Sequence, residues 1–257
     1  MARYQAILAY DGTGFAGSQR QANKRTVQGE FEAALRRLGW NGRSILLAGR
    51  TDTGVHASGQ VAAFDLEWRH SPQALVKALN AMLPEDLVVR DLSVTRDDFH
   101  PRFDALSRTY RYRLFCDEVR DPLRERYAWR VWPRLDGKIL PELALLWIGK
   151  HDFAAFGSPT RPASGTVRTV LEAFWQEEGQ TWVFEVQANA FLYRMVRRLV
   201  YVQVAAAQGR LSAEVIAQAL QEPASALSRT ETLPAGLAPA CGLTLVRVTY
   251  PVEDCNL

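Results

Sequence analysis

The sequence predicts an α+β fold of two ferredoxin-like β-α-β-β-α-β units that form a mixed, mainly antiparallel sheet. Short segments in which apolar residues alternate are separated by segments in which they recur at helical spacing. The order of these segments in the first half returns in the second half. Because 257 residues are enough for two separate cores, we place one domain at residues 1–104 and the other at 105–257.

The first half contains the elements of one such unit. Residues 3–11 alternate as a strand that a glycine cluster ends. Thr26 is suited to cap a helix with one apolar face, which Gly39 closes. The remaining elements are predicted as a strand that ends at 45–47, a strand at 60–66, a helix that begins at Ser71 and stops before Pro84, and a strand at 87–94.

The second half follows the same order. Residues 108–116 alternate as a strand that places Tyr110, Tyr112 and Leu114 on one face. The elements that follow are predicted as a helix at 141–147, strands at 167–176 and 181–187, helices at about 190–208 and 213–220, and a last strand at 242–250.

Composition and cysteine spacing limit the class of protein. The chain is 47% hydrophobic and 23% charged, typical of a globular protein, and no apolar stretch reaches the roughly 18 to 20 residues of a membrane span. We therefore expect a cytoplasmic protein without membrane contact. The cysteines, Cys116, Cys241 and Cys255, are odd in number and far apart, so we expect reduced thiols, and the histidines show no metal-ligand spacing.

The charge is mildly basic and is carried mostly by arginine. The net charge is +3, and only four of the 31 basic residues are lysines: Lys24, Lys77, Lys138 and Lys150. The planar guanidinium of arginine suits bidentate phosphate contacts and stacking on bases. The excess alone favours nucleic acid only weakly over other partners.

Residues 10–21, YDGTGFAGSQRQ, contain the glycine spacing of dinucleotide-binding loops, G-x-G-x-x-G. In such loops a helix opens at the third glycine, and an acidic residue ends the next strand. Here the helix is predicted only from Thr26, and Glu30 and Glu32 lie inside it, so we interpret the segment as a glycine loop. Its polar side chains suit contacts with a sugar–phosphate backbone: Gln19, Arg20, Gln21, Lys24 and Arg25.

The segment 46–64, LLAGRTDTGVHASGQVAAF, is the main candidate for chemistry. An apolar strand end runs into a glycine-flanked turn in which Arg50 and Asp52 stand two residues apart. A nearby cation favours the ionised form of a carboxylate, which is the form that a nucleophile needs. The alternative is an ordinary ion pair on a surface turn.

The run 49–57, GRTDTGVHA, resembles the signature G-R-T-D-x-G-V-H-A of the TruA-type tRNA pseudouridine synthases. Further runs that resemble the family occur in the family's order, and the resemblance covers nearly the whole chain. These runs lie at 15–21, 97–103, 108–112, 151–153, 189–197 and 242–245. Two positions depart from the family pattern: Ser18 stands where an aromatic residue is common, and Tyr201 where glycine is usual.

The resemblance implies roles for five residues. Asp52 matches the catalytic aspartate, which attacks the target uridine on the base or on the ribose. The glycosidic bond then breaks, the uracil turns and a C5–C1′ bond forms, so no cofactor is required. The remaining matches are Arg50 for stabilising the flipped nucleotide and pairing with Asp52, Tyr110 for packing against the target base, Arg197 for reaching the active-site carboxylate, and Leu243 for the base pocket.

The resemblance also implies a substrate and an assembly. The substrate is the anticodon stem–loop of tRNA, modified at positions 38, 39 or 40 and bound in a basic cleft between the two units. The family acts as a homodimer, and neither a metal nor a nucleotide cofactor is expected. Two other functions remain open from the residues alone. One is a non-catalytic RNA-binding module, favoured by strand aromatics such as Tyr110 and Tyr112. The other is the dehydrogenase that the opening glycines suggest.

Overall fold

A computed structural model describes residues 1–159, 165–222 and 233–251. Within these ranges the chain forms ten β-strands and five α-helices. It divides into two compact units. The first comprises Met1–Arg108 and the segment from Thr244 onwards, and the second comprises Thr109–Leu243.

The first unit is built on a mainly antiparallel sheet. Its strands are β1 (Ala2–Tyr10), β2 (Leu46–Leu47), β3 (His56–Leu66), β4 (Leu87–Val94) and β10 (Leu243–Thr249), the last strand of the chain. Their order is β4-β1-β3-β10, and β2 pairs with β3. The pairs β1–β3, β1–β4 and β2–β3 are antiparallel, whereas β10 lies parallel to β3. Residues 48–55 therefore connect the antiparallel strands β2 and β3.

Two helices, α1 (Val27–Arg37) and α2 (Pro72–Asn80), belong to the first unit. Both predicted N-caps are confirmed: the hydroxyl oxygens of Thr26 and Ser71 each accept a backbone N–H of the first helical turn, at 3.2 Å. Such a cap satisfies one of the backbone donors that a helix N-terminus leaves unpaired. These caps fix where each helix begins.

Aromatic side chains connect helix and sheet in the core of the first unit. The ring of Phe31 on α1 meets that of Phe64 on β3 edge to face, with centroids 5.6 Å apart. Phe64 in turn stacks on Tyr4 of β1 at 5.7 Å. All three side chains are buried. Packing of this kind supplies stability beyond the buried area alone.

The second unit contains the other five strands. Its strands are β5 (Ser107–Cys116), which begins at the end of the first unit, β6 (Trp129–Val131), β7 (Gly149–Asp152), β8 (Val167–Glu178) and β9 (Thr181–Ala188). Their order is β5-β9-β8-β7, with β6 parallel to β5. Sequence reasoning missed β6 and β7 because three or four residues are too few to show alternation.

Three helices, α3 (Leu140–Leu145), α4 (Met195–Ala207) and α5 (Ala213–Gln221), complete the second unit. The prediction that α4 begins near residue 190 is wrong. Arg194 adopts the left-handed conformation, with φ of 63°, so helical geometry starts only at Met195. Inside the unit, Trp175 donates its indole N–H to the side-chain oxygen of Gln203 at 2.8 Å, which satisfies two buried polar groups.

The predicted α+β class with a mainly antiparallel arrangement of strands is confirmed. The domain boundaries of 1–104 and 105–257 stay predictions, and the two compact units differ from them. The segment from Thr244 groups with the first unit because β10 pairs with β3. In the part of the chain that the structure describes, no helix is long and apolar enough to cross a bilayer.

Candidate active site

The candidate nucleophile Asp52 lies on the connection between β2 and β3. Val55 N–H donates to the carbonyl oxygen of Asp52 at 3.1 Å, which closes a tight turn. Gly54, the third residue of this turn, has φ of 79°, a conformation that glycine adopts without strain. The side chain of Asp52 is partly buried and that of Arg50 is exposed. The predicted ion pair between these two side chains stays a prediction.

The backbone before Arg50 is held by the side-chain amide of Gln60. This residue has no exposed area although it lies in an apolar strand. Its Nε2 donates to the carbonyl oxygen of Gly49 at 2.8 Å, and its Oε1 accepts the N–H of Gly49 at 3.2 Å. The side-chain amide thus pairs with both the N–H and the C=O of Gly49.

The backbone after Arg50 is held by Ser18, which is also fully buried. Its hydroxyl oxygen accepts the N–H of Thr51 at 2.8 Å, and its own N–H donates to the carbonyl oxygen of Thr51 at 3.0 Å. The hydroxyls of Thr51 and Tyr10 lie 2.8 Å apart and are hydrogen-bonded. All polar atoms of Thr51, the residue before Asp52, therefore have partners.

Burial also makes the hydroxyl of Tyr10 harder to ionise. It raises the pKa of the Tyr10 hydroxyl above its ordinary value of 10.0, although hydrogen bonds with Thr51 and Gln60 act in the opposite direction. The neutral hydroxyl keeps its proton and can act as a donor near neutral pH.

Two glycines of the segment 10–21 pack against the turn at Asp52. A Cβ on Gly12 would lie 2.1 Å from the carbonyl oxygen of Val55, and one on Gly17 would lie 2.8 Å from that of Thr51. Both distances are too short for real contacts, so the backbone can approach this closely only at glycine. The glycines of this segment thus allow the two backbone segments to pack closely. As predicted, α1 begins only at Val27, so no helix opens at the third glycine as it would in a dinucleotide-binding loop.

His56 attaches the start of β3 to the end of β1. Gly12 N–H donates to His56 Nδ1 at 3.0 Å, and Asp11 Oδ1 lies 3.1 Å from the same nitrogen. One nitrogen cannot accept from Gly12 and donate to Asp11 at once. The first contact therefore requires an Nδ1 without a hydrogen, and the second requires an Nδ1 that carries one.

Two arginines expected to face a nucleic-acid backbone are engaged inside the first unit. Arg20 donates to the fully buried carboxylate of Glu32 at 2.6 Å. Arg25 forms two hydrogen bonds of 2.7 Å with the carboxylate of Asp86. Since its guanidinium is already paired, Arg25 supports the loop rather than offering an isolated charge.

In the second unit, Tyr110 is buried on β5, on the face that the alternation predicted. Its ring meets that of Phe191 edge to face, with centroids 5.1 Å apart and planes at 86°. This contact fixes the orientation of the Tyr110 ring. An oriented aromatic ring is suited to packing against a base.

Arg197 lies on α4 and is connected to the segment before β10. Its Nε donates to the carbonyl oxygen of Ala238 at 2.8 Å, and the N–H of Ala238 donates to the carbonyl oxygen of Arg197 at 3.2 Å. The predicted approach of Arg197 to the carboxylate of Asp52 stays a prediction.

Leu243 opens β10 and is buried, as core packing or a base pocket would require. The residues before it pack on Tyr112, whose hydroxyl donates to the carbonyl oxygen of Pro239 at 2.8 Å. A Cβ on Gly242 would lie 2.6 Å from the Tyr112 ring, so glycine is needed there. Tyr112 thus sets the path of the chain into Leu243.

Tyr201, which departs from the family pattern, also packs inside the second unit. Its ring stacks on Trp129 with centroids 6.3 Å apart and planes at 10°. A Cβ on Gly236 would lie 2.4 Å from the Tyr201 ring, so the ring and this glycine are in close contact. The large side chain therefore fills space between β6 and the segment that leads to β10.

The predicted site residues are divided between the two units. Asp52 and Arg50 belong to the first, and Tyr110, Arg197 and Leu243 to the second. Among the described residues, no three His, Cys, Asp or Glu side chains are arranged to hold a metal ion. Sequence reasoning missed the roles of Ser18 and Gln60. The one available signal was a glutamine inside the apolar strand sequence QVAAF.

A family model described as tRNA pseudouridine synthase matches residues 6–104 and 143–251. The tRNA pseudouridine synthase A of Methylacidiphilum infernorum is 41% identical over 98% of this chain and 96% of its own length. That of Listeria monocytogenes is 39% identical over 97% of this chain and 100% of its own length. One solved structure, the archaeal box H/ACA sRNP Nop10-Cbf5 complex, matches 79% of this chain and 43% of its own chain, with 12% identity and a TM-score of 0.33.

Proposed function

Because this chain belongs to the tRNA pseudouridine synthase family, we propose that it converts uridine to pseudouridine at position 38, 39 or 40 of the tRNA anticodon stem–loop, with Asp52 as the nucleophile. The enzyme class and the tRNA substrate follow from the family match and from relatives that are similar over nearly the whole chain. The positions in the tRNA and the roles of single residues are the finer part of the proposal.

The observation that carries this proposal is the fixed backbone at Asp52. The partly buried carboxylate follows Thr51, whose N–H and C=O are both hydrogen-bonded to Ser18. A nucleophile that is already held in the reactive orientation loses little entropy when the transition state forms. This saving accounts for a large part of many enzymatic rate enhancements. A surface ion pair on a turn would have no need of such support.

In the proposed reaction Asp52 attacks the target uridine and the N1–C1′ bond breaks. The uracil then turns, a C5–C1′ bond forms, and the bond between Asp52 and the nucleotide breaks, which restores the free carboxylate. The hydrogen on C5 leaves as a proton, and N1 takes up a proton. Substrate and product therefore have the same composition and oxidation state. The reaction as written needs no redox or group-transfer cofactor.

The other predicted site residues are proposed to handle the extruded nucleotide. Turning a stacked or paired uridine out of the RNA costs a few kcal/mol. Packing of the base on an aromatic ring stabilises the extruded state by roughly 1 to 3 kcal/mol. The oriented ring of Tyr110 is the candidate for this contact. We assign Arg50 to stabilising the flipped nucleotide, Arg197 to the active-site carboxylate and Leu243 to the base pocket.

Assembly and location complete the proposal. We propose a homodimer, since a single chain with a net charge of only +3 offers little attraction to a polyanion, whereas two copies present two basic surfaces. We also propose a cytoplasmic location, which the tRNA substrate supports.

The proposal is tested with three tRNA transcripts that each carry uridine at only one of positions 38, 39 and 40. We expect the wild-type protein to form pseudouridine in one or more of them without added cofactor, mapped by reverse-transcription stops after carbodiimide treatment. A transcript with cytidine at all three positions is the control. Binding of all transcripts without modification of any would contradict the proposal and favour the non-catalytic RNA-binding module.

A further inference from the structure

Ser18 connects the turn at Asp52 to the first turn of α1. The carbonyl oxygens of Gly17 and Ser18 accept the N–H groups of Val27 and Gln28, at 3.3 and 3.0 Å. These two amides begin α1, where backbone donors have no partner within the helix. The Ser18 hydroxyl, which accepts the N–H of Thr51, is therefore itself attached to a rigid element.

Gln60 and Ser18 are joined through Tyr10. Gln60 Nε2 lies 3.4 Å from the Tyr10 hydroxyl, which is hydrogen-bonded to the hydroxyl of Thr51 at 2.8 Å. Tyr10 ends β1 and is buried, as are Gln60 and Thr51. The network therefore reaches from the middle of β3 to the residue before Asp52 through buried residues.

We propose that Ser18 and Gln60 are positioning residues for Asp52. They hold the backbone of Thr51 and Gly49, on the two sides of Arg50, and thereby set the direction in which the carboxylate of Asp52 points. This inference rests on the proposed function, because it assigns a role relative to the nucleophile. Neither side chain contacts the reacting atoms, so both act through the backbone.

The energetic reason lies in burial. Without the Ser18 hydroxyl, the N–H of Thr51 loses its acceptor in a place where water does not reach, and the turn relaxes to find another partner. A displacement of about 1 Å at a nucleophile can cost on the order of 100-fold in rate. The affinity for the whole tRNA rests on many contacts besides Arg50, which this turn also carries, and is expected to change little.

The main test compares Ser18→Ala with Ser71→Ala in the full-length chain. Ser71 is a matched control because its hydroxyl also accepts one backbone N–H in the first unit, at the start of α2. With a tRNA transcript carrying 5-tritiated uridine, we expect Ser18→Ala to lower kcat roughly 10-fold to 100-fold. KM and the dissociation constant for tRNA should stay within about twofold, and Ser71→Ala should match the wild type.

Conservative rescue and amide exchange separate positioning from general stability. Ser18→Thr keeps the oxygen acceptor and should restore kcat to within a few-fold of the wild type. Gln60→Met keeps the volume but removes both hydrogen bonds to Gly49, and it should lower kcat to a similar extent as Ser18→Ala. Hydrogen exchange of the Thr51 amide should be at least about 10-fold faster in Ser18→Ala than in Ser71→Ala.

Three outcomes would overturn a claim, and they can be told apart. An active wild type with Ser18→Ala as fast as Ser71→Ala and an equally protected Thr51 amide contradicts the positioning role alone. A wild type that releases no tritium from any transcript contradicts the proposed function, and with it the role assigned here. If Ser18→Ala melts below the assay temperature while Ser18→Thr remains folded and inactive, the oxygen acceptor is not the determinant and the inference fails.

Discussion

At the scale of single residues, Gly17 offers a direct test of how closely the loop packs on the turn. Its φ is 90°, and an added Cβ would lie 2.8 Å from the carbonyl oxygen of Thr51. Gly39 has nearly the same φ, 88°, but no atom within 4 Å of an added Cβ. The two glycines differ in their surroundings and share their backbone conformation.

We predict that Gly39→Ala lowers the free energy of unfolding by about 1 kcal/mol, the cost of a left-handed alanine, without loss of activity. Gly17→Ala should lower it by roughly 2 to 3 kcal/mol and also reduce kcat, because the methyl group displaces the backbone at Thr51. Urea unfolding and tritium release measure the two quantities. Equal effects of the two variants would contradict the close packing described here.

Single residues also show how far the sequence alone reaches. The Asp52 motif could be identified because its residues are contiguous, so the pattern carries its own context. Ser18 could not, since its hydroxyl accepts from Thr51, 33 residues further along the chain. Nothing local distinguishes a buried serine from a loop serine before the fold is known.

At the scale of elements, the loop between β1 and α1 is secured by Arg25. Besides its two hydrogen bonds to Asp86, its guanidinium lies 4.2 Å from the centre of the Phe15 ring. Asp86 directly precedes β4, so the pair connects the loop to the sheet. The hydrogen bond from Arg25 lowers the pKa of the Asp86 carboxyl below its ordinary value of 3.8.

This shift predicts a pH-dependent contribution to stability. A carboxyl group with a lowered pKa in the folded state stabilises the fold above its ordinary pKa and loses that contribution as the pH falls through the folded value. We expect Asp86→Asn to lower the free energy of unfolding by about 0.5 to 1 kcal/mol at pH 6, since the pair is partly exposed. The difference should shrink as the pH approaches 3, and a difference independent of pH in urea unfolding would contradict the assignment.

The helices differ in how well the sequence predicts them. The starts of α1 and α2 were predicted because Thr26 and Ser71 carry cap chemistry next to an apolar periodicity. The start of α4 was placed too early because the periodicity continues through residues 190–194. The left-handed Arg194 interrupts the helix there, and no propensity scale indicates such a conformation for arginine.

At the scale of the whole molecule, the sequence predicts the class of fold better than the grouping of its elements. Strand alternation and helix periodicity are local, and they were sufficient for the α+β class. That β10 groups with the first unit depends on its pairing with β3, in which Thr244 and Leu245 lie opposite His56 and Ala57. Such long-range pairing leaves no periodic signal in the sequence.

The family match covers residues 6–104 and 143–251 and identifies the class of enzyme, so the central claim of the proposed mechanism is the role of Asp52. That claim is tested most directly by tritium release from a tRNA transcript carrying 5-tritiated uridine, with wild type and Asp52→Asn at equal RNA occupancy. Asparagine preserves the size of the side chain but removes the nucleophilic carboxylate. The account predicts that Asp52→Asn lowers the rate of tritium release by a factor of roughly 1,000 or more. The affinity for tRNA should change only a few-fold. An Asp52→Asn variant that keeps a rate near that of the wild type would contradict it.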